Sequence, residues 1–184
     1  MEIRRITTPV DEDSIAPLRS GDKVLLSGYI YTARDAAHKR FMDVLRAGGD
    51  LPIPIEGQVI YYCGPTPPAP GRVIGAAGPT TSSRMDPYAP TLLALGLKGM
   101  IGKGKRSGAV KDAVRKHKAL YFGATGGAGA LLSQCVRAYE VVAYAELGPE
   151  AVARLSVEDL PLFVINDGFG NDLYDIGIGR YKTA

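Results

Sequence analysis

Apolar and polar positions alternate first at period two and then at helical spacing, and this switch recurs along the chain. The stretch "DKVLLSGYIYTA" (22–33), rich in Val, Leu, Ile and Tyr, predicts a strand. "RDAAHKRFMDVLRAGGD" (34–50) follows at once, with Ala37, Phe41, Val44 and Leu45 on one helical face and Gly48 as its stop. "QVIYYCG" (58–64) and "RVIGAAG" (72–78) predict two further strands, joined by "PTPPAPG", whose four prolines do not fit a central strand. "TLLALG" (91–96) reads as a short helix and "KGMIGKGK" (98–105) as a strand leaving through a glycine turn. "GAVKDAVRKHKA" (108–119) places Val110, Ala113 and Val114 on one side of an otherwise cationic helix. "LYFGA" predicts a strand, "GGAGALLSQ" a close-packed helical turn, "VRAYEVVAYAEL" (136–147) a strand, and "LPLFVINDGFGNDLYDIG" (160–177) a closing hairpin punctuated by Asp-Gly and Gly-Asn.

Strands separated in places by helices and elsewhere only by turns predict an α/β domain with a mixed sheet. At 184 residues with 46% hydrophobic side chains, the expectation is one domain over 1–184. Residues 1–20 then form an N-terminal extension or first strand, and 175–184 a tail.

Composition narrows the partners. A net charge of +3 from 22 basic and 19 acidic residues argues against nucleic acid and against an acidic membrane surface. The amino end lacks an apolar signal core, and no apolar run approaches the roughly 18 residues of a membrane span, so a cytoplasmic protein is expected. Two cysteines, Cys63 and Cys135, form no Cys-x-x-Cys or close Cys/His group, so no metal site of the chain's own is expected.

Candidate chemistry lies where strands end. In α/β sheets, ligands gather at strand exits, where loops and helix N-termini offer N–H groups to anions. Three exits here carry cations: Arg34 in "TARD", Arg84 in "TTSSR" and Lys103 in "GKGK". Generic nucleotide motifs fail: Leu97 and Gly104 break a Walker pattern, and "GATGGAGA" (123–130) does not match Gly-x-Gly-x-x-Gly and is better read as small residues for close packing. Blander readings stand beside these. Ser82 or Ser83 could cap the following turn, and Arg34 could pair with Asp35 or Asp86 at the surface. His38 reads as structural, the "VRKHKA" run as a solvated face and Cys63 as a buried strand thiol.

"GPTTSSRMDPYAPTLLALGLKGMIGKG" (78–104), with "SGYIYTARDAAHKR", "YYCGPTP", "GGAGALL" and "VINDGFGNDLY", resembles the β subunit, or carboxyl-terminal domain, of the class I iron–sulfur fumarate hydratases and the related tartrate dehydratases. The resemblance runs in order from about Gly21 to about Tyr174. It implies a swivelling β/β/α domain acting in a tricarboxylic acid cycle type of hydro-lyase. It also implies a separate α subunit holding a four-iron four-sulfur cluster, in an α2β2 hetero-oligomer, because two cysteines cannot hold that cluster. By the same resemblance Arg34 and Arg84 are substrate carboxylate anchors, Lys103 adds a catalytic cation and Thr80 is a general base. The neighbouring Thr81, Ser82 and Ser83 join the substrate-binding loop. The implied reaction is hydration of fumarate to (S)-malate. Tartrate dehydration, a stand-alone dicarboxylate-binding protein, and a structural partner without catalytic loops remain as alternatives.

Overall fold

The structure, a computed structural model, describes residues 3–182. Its strands are β1 (Ile3–Thr7), β2 (Lys23–Thr32), β3 (Val59–Tyr61), β4 (Gly99–Gly102), β5 (Leu120–Gly123), β6 (Val136–Ala143) and β7 (Val152–Asn166). Its helices are α1 (Glu12–Ile15), α2 (Asp35–Arg46), α3 (Ala89–Ala94), α4 (Gly108–Lys116), α5 (Gly129–Leu132) and α6 (Leu173–Tyr181). Short 3₁₀ turns cover Ser82–Met85, Ser133–Cys135 and Ala145–Glu150.

Strands β1 to β5 pair in parallel, and β7 runs antiparallel to both β2 and β5. The pairings therefore close a ring of β2, β3, β4, β5 and β7, with β1 added beside β2 and β6 beside β7. This is an α/β fold with a mixed sheet. Alternation along each strand divides its side chains between two cores. Val59, Tyr61, Ile101, Phe122, Leu155 and Val164 belong to the inner core. Their neighbours Ile60, Tyr62, Met100 and Tyr121 face outward against Phe41 of α2, Leu92 and Leu93 of α3, and Val114 of α4. These side chains are almost wholly buried, each contributing about 1.5–3 kcal/mol for the larger aliphatic and aromatic ones.

Four expectations are corrected. Residues 72–78 form no strand: local bonds to Thr66 hold them instead, with Gly75 N donating to Thr66 O (3.0 Å) and Ala76 N to Thr66 Oγ1 (2.8 Å). The segment is anchored to the preceding proline loop, and no ladder remains for it. The strand expected to Leu147 stops at Ala143, where Tyr144 turns left-handed (φ 55°). The hairpin expected over 160–177 is reduced to a single antiparallel bridge between Asn166 and Asp172. There β7 runs unbroken to Asn166, the Asp167 carboxylate accepts from Ser20 N, Phe169 N, Asn171 N and Asn171 Nδ2, and α6 follows, N-capped by Asp172. The Asp-Gly and Gly-Asn punctuation thus serves a strand-to-helix turn, and positions expected in the tail are largely helical. On α2, His38 and Met42 share the buried face with Ala37 and Phe41, whereas Val44 and Leu45 are only half-buried. Residues 3–7, left open between extension and strand, form β1. No helix among the described residues is long and apolar enough to cross a membrane.

Candidate functional site

The parallel strands deliver their carboxyl ends to one side of the sheet, and the residues just beyond β2, β3 and β4 meet there. Arg34 follows β2 and occupies the N-cap position of α2. Its Nη2 lies 3.1 Å from Glu150 Oε1, and its Nε lies 3.9 Å from Asp35 Oδ1. Glu150 Oε2 in turn accepts from Ala36 N, in the first turn of α2, at 3.3 Å. This puts a carboxylate where the helix dipole and unpaired N–H groups favour one. Gly64, beyond β3, permits the arrangement: a Cβ there would fall 2.8 Å from Pro149 O and 3.1 Å from Arg34 Nη1.

Arg84 arrives from the 3₁₀ turn, and its Nη2 donates to Asp35 Oδ2 at 2.5 Å. Asp35 thus stands between the two guanidiniums. The Arg34 side chain is 20% exposed and that of Arg84 49%, so both can be reached from solvent.

The main chain of Lys103 lies in a parallel bridge with Thr81. Lys103 N donates to Thr80 O (3.2 Å) and Ser82 N to Lys103 O (2.9 Å), which ties the hydroxyl-rich loop to the exit of β4. The Lys103 ammonium is exposed and has no ion pair among the described residues. At the end of β3, Thr80 N and Thr80 Oγ1 both donate to Tyr62 O at 2.8 Å. Among the described residues no group donates to the Thr80 hydroxyl.

The hydroxyls that follow divide. Thr81 and Ser83 are exposed. Ser82 is fully buried: its Oγ lies 2.9 Å from Tyr121 Oη, which itself donates to Gly104 O at 2.9 Å. A Cβ on Gly102 would come within 2.0 Å of Ser82 Oγ, so the bare strand is what admits this serine. Ser82 locks the loop from below and presents no hydroxyl to solvent. Neither Ser82 nor Ser83 caps the turn through its side chain.

Arg106, which no sequence motif singled out, and His38, which reads as structural in the sequence, complete the base of the site. Arg106 is buried, with Nε 2.7 Å from Asp86 Oδ1, and Ser107 N donates to Asp86 Oδ2 at 2.7 Å. Its guanidinium stacks over Tyr121 and Tyr62, 5.0 and 5.4 Å from their ring centroids. One ion pair therefore clamps the Arg84 turn to the Lys103 turn. In the sequence Arg106 reads like its exposed neighbour Lys105, and only Tyr62, one residue past β3, and Tyr121 of β5 distinguish it. His38 is buried among Phe41, Tyr62 and Tyr88, and its Nδ1–H donates to Arg34 O at 2.8 Å. Burial outweighs that bond and holds its pKa down to about 4, so the ring is neutral near pH 7. It fixes the Arg34 main chain and does not touch the guanidinium's partners.

Among the described residues no group of three or more His, Cys, Asp or Glu is placed to hold a metal ion. Cys63 belongs to the inner core and burial pushes its thiol up to about 12, while Cys135 is partly buried elsewhere. Neither fits a cluster ligand. Gly129 packs against Gly78, where its Cβ would fall 2.9 Å from Gly78 N, so the "GATGGAGA" stretch serves close packing. Altogether the site is a loop cluster with two guanidiniums close together, suited to an anion with carboxylate groups.

A family model described as "Fumarase C-terminus" matches residues 2–177. The chain is 42% identical over 154 residues to "Fumarate hydratase class I, anaerobic" of Escherichia coli K12, covering 83% of this chain and 28% of that protein. It is 36% identical over 170 residues to "Fumarate hydratase 2" of Leishmania major, covering 90% and 30%. A Methanocaldococcus jannaschii protein, provisionally named as the beta subunit of L(+)-tartrate dehydratase, is 35% identical over 167 residues, covering 88% of this chain and 86% of that one. The chain thus spans about a third of the fumarate hydratases it matches and nearly all of the subunit.

Proposed function

The chain belongs to the fumarase C-terminus family, and from that premise we propose that it is the β subunit of a hydro-lyase that reversibly hydrates fumarate to (S)-malate together with a separate α subunit. The observation that carries this reading is the convergence of Arg34 and Arg84 on Asp35, with the main chain of Lys103 bridged to the loop over 80–84.

Removing water from a hydroxy diacid takes a proton from the carbon next to a carboxylate and drives charge onto that carboxylate. Fixed donors make this accessible, each worth about 2.7–4 kcal/mol in the transition state. In this proposal Arg34 holds one carboxylate, in a fork that also sets its orientation, and Arg84 with Lys103 receives the other, where charge develops. Thr80 is the base: its hydroxyl is aimed by the Tyr62 carbonyl, and Arg84 and Lys103 stabilise the alkoxide that a threonine needs in order to accept a proton. Exposed Thr81 and Ser83 line the same loop.

The family resemblance implies a four-iron four-sulfur cluster. Because Cys63 and Cys135 do not fit it, the proposal assigns the cluster to the α subunit, and none of the roles given to this chain's residues depends on it. A cytoplasmic α2β2 assembly completes the reading. Near-full coverage of a protein named as a subunit favours a separate β chain, and it keeps tartrate dehydration as the second reading.

The test is a dicarboxylate panel, with fumarate, (S)-malate and tartrate, assayed anaerobically with this chain alone and mixed with an α chain. Turnover of fumarate on mixing only is expected. Turnover by this chain alone would overturn the two-chain reading, and turnover of tartrate without fumarate would favour the second one.

A further inference from the structure

Arg34 is the least exposed of the three cations, and a carboxylate of the chain itself already occupies it. Glu150 places Oε1 3.1 Å from Arg34 Nη2 and Oε2 3.3 Å from Ala36 N, bridging a guanidinium and the first turn of a twelve-residue helix. That is how an incoming carboxylate would sit at the same place.

Asp35 and Glu150 are held very differently. Asp35 lies inside the first turn of α2 and cannot leave without unwinding the helix. Glu150 ends the 3₁₀ segment Ala145–Glu150, which enters through left-handed Tyr144 and is broken at Gly148 (φ 57°, ψ −123°), directly before Pro149. Gly148 and Pro149 are exposed, and nothing lies within 4 Å of the point where a Cβ on Gly148 would stand. The segment is anchored behind the break by half-buried Leu147 and Tyr144 on the outer core, and ahead of it by Ala151 N bonding to Gly148 O. The Glu150 side chain is 25% exposed, so rotation about its own side-chain bonds takes the carboxylate off Arg34 while both main-chain anchors stay in place.

Charge points the same way. Arg34 and Arg84 are balanced by Asp35 and Glu150 while Glu150 is in place. With Glu150 withdrawn one positive charge is uncovered, the complement of one carboxylate of a diacid.

We propose that Glu150 is an affinity-determining residue: an internal carboxylate that holds Arg34 and the α2 N-terminus until a carboxylate of the diacid displaces it. The proposal rests on the reading of Arg34 as a substrate anchor. Glu150 then keeps the half-buried guanidinium partnered between turnovers, and weakens diacid binding in doing so.

The experiment is an NMR titration of the full chain with fumarate, comparing wild type, Glu150→Gln, Glu150→Ala, Arg34→Met and the Arg34→Met/Glu150→Gln double variant, each shown folded by its spectrum. Glu150→Gln keeps the shape and removes the charge, and Glu150→Ala also vacates the place. Both are expected to bind fumarate at least about five-fold tighter than wild type, as for loss of one competing ion pair of about 1 kcal/mol. The gain is expected to vanish in the Arg34→Met background. Equal or weaker binding by both Glu150 variants, a gain that persists without Arg34, or no binding by any variant would overturn the inference. If Arg34→Met binds as wild type does and also turns over normally with the α subunit, the anchor reading itself fails. If Arg34→Met weakens binding but the Glu150 variants do not tighten it, only the role of Glu150 falls.

Discussion

Asp35 Oδ2 accepts a hydrogen bond from Arg84 Nη2 at 2.5 Å, while the same carboxylate reaches Arg34 Nε at 3.9 Å. Two guanidiniums this close would repel, and the carboxylate between them sets their separation. In the two-chain enzyme, Arg84→Ala is expected to lower kcat by orders of magnitude with the fold intact, because it deletes charge stabilisation from an exposed turn. Asp35→Asn keeps both arginines but loosens their spacing, so a rise in KM of about ten-fold is expected, larger than its effect on kcat. Steady-state kinetics on malate measures both. Near-normal kcat in Arg84→Ala would retire that arginine from the mechanism.

The geometry at Thr80 separates binding from proton transfer. Its backbone N–H and its hydroxyl both donate to Tyr62 O, so Thr80→Val loses one bond to that carbonyl and keeps the other. If the hydroxyl takes the substrate proton, kcat should fall at least about a hundred-fold with KM changed little, as expected for losing a general base. Thr80→Ser should restore most of the rate. Equal losses in kcat and in substrate affinity would make Thr80 a binding residue.

Much of this site is legible in the sequence because it is local. The strands at 22–33 and 58–64 and the helix from 34 show themselves in their periodicity, which by itself puts Arg34 at a strand exit. Lys103 follows the same logic at the exit of β4, whereas the strand expected before Arg84 does not form and that arginine is brought in by the bridge between Thr81 and Lys103. The burial of Ser82 is hidden from such a reading because it depends on the bare backbone of Gly102 across the bridge, which hydroxyl-rich composition does not encode. Glu150 is invisible for a different reason: it reaches the site only because the chain returns over α2 after β6, and Gly64 leaves room for Pro149 O. The Asp-Gly punctuation after β7 suggests a hairpin because a turn signal does not say whether a strand or a helix comes next. Asp172 at the N-cap of α6 decides it.

The pair formed by Arg106 and Asp86 makes a prediction about stability. Arg106 is shielded from water and the Asp86 side chain is 13% exposed, so removing either leaves a charge with little solvent to turn to. Arg106→Met should destabilise the chain by about 3–5 kcal/mol in urea unfolding, in line with breaking a buried pair. The control is Arg137→Ala, whose partner Glu158 lies 2.8 Å away with both side chains more than half exposed; its cost should stay below about 1 kcal/mol. Similar costs for the two would mean that the Arg84 and Lys103 turns are not clamped through Arg106.

His38 gives a pH prediction with a definite sign. Buried among aromatic rings and with Nε2 unpartnered, it is held neutral down to about pH 4, against an ordinary value of 6.5. In the unfolded chain it takes up a proton below about pH 6.5, so between there and pH 4 the unfolded state binds more protons than the folded one. The penalty is therefore absent above pH 6.5 and grows as pH falls towards 4, reaching about 3 kcal/mol there from this group alone. Urea midpoints taken from pH 7.5 to 4.5 should fall more steeply for wild type than for His38→Leu, whose apolar side chain removes the titration, the carboxylates contributing equally to both. Parallel curves would mean that the ring is solvated or finds a partner for Nε2, and the main chain of Arg34 would then rest on a less rigid support.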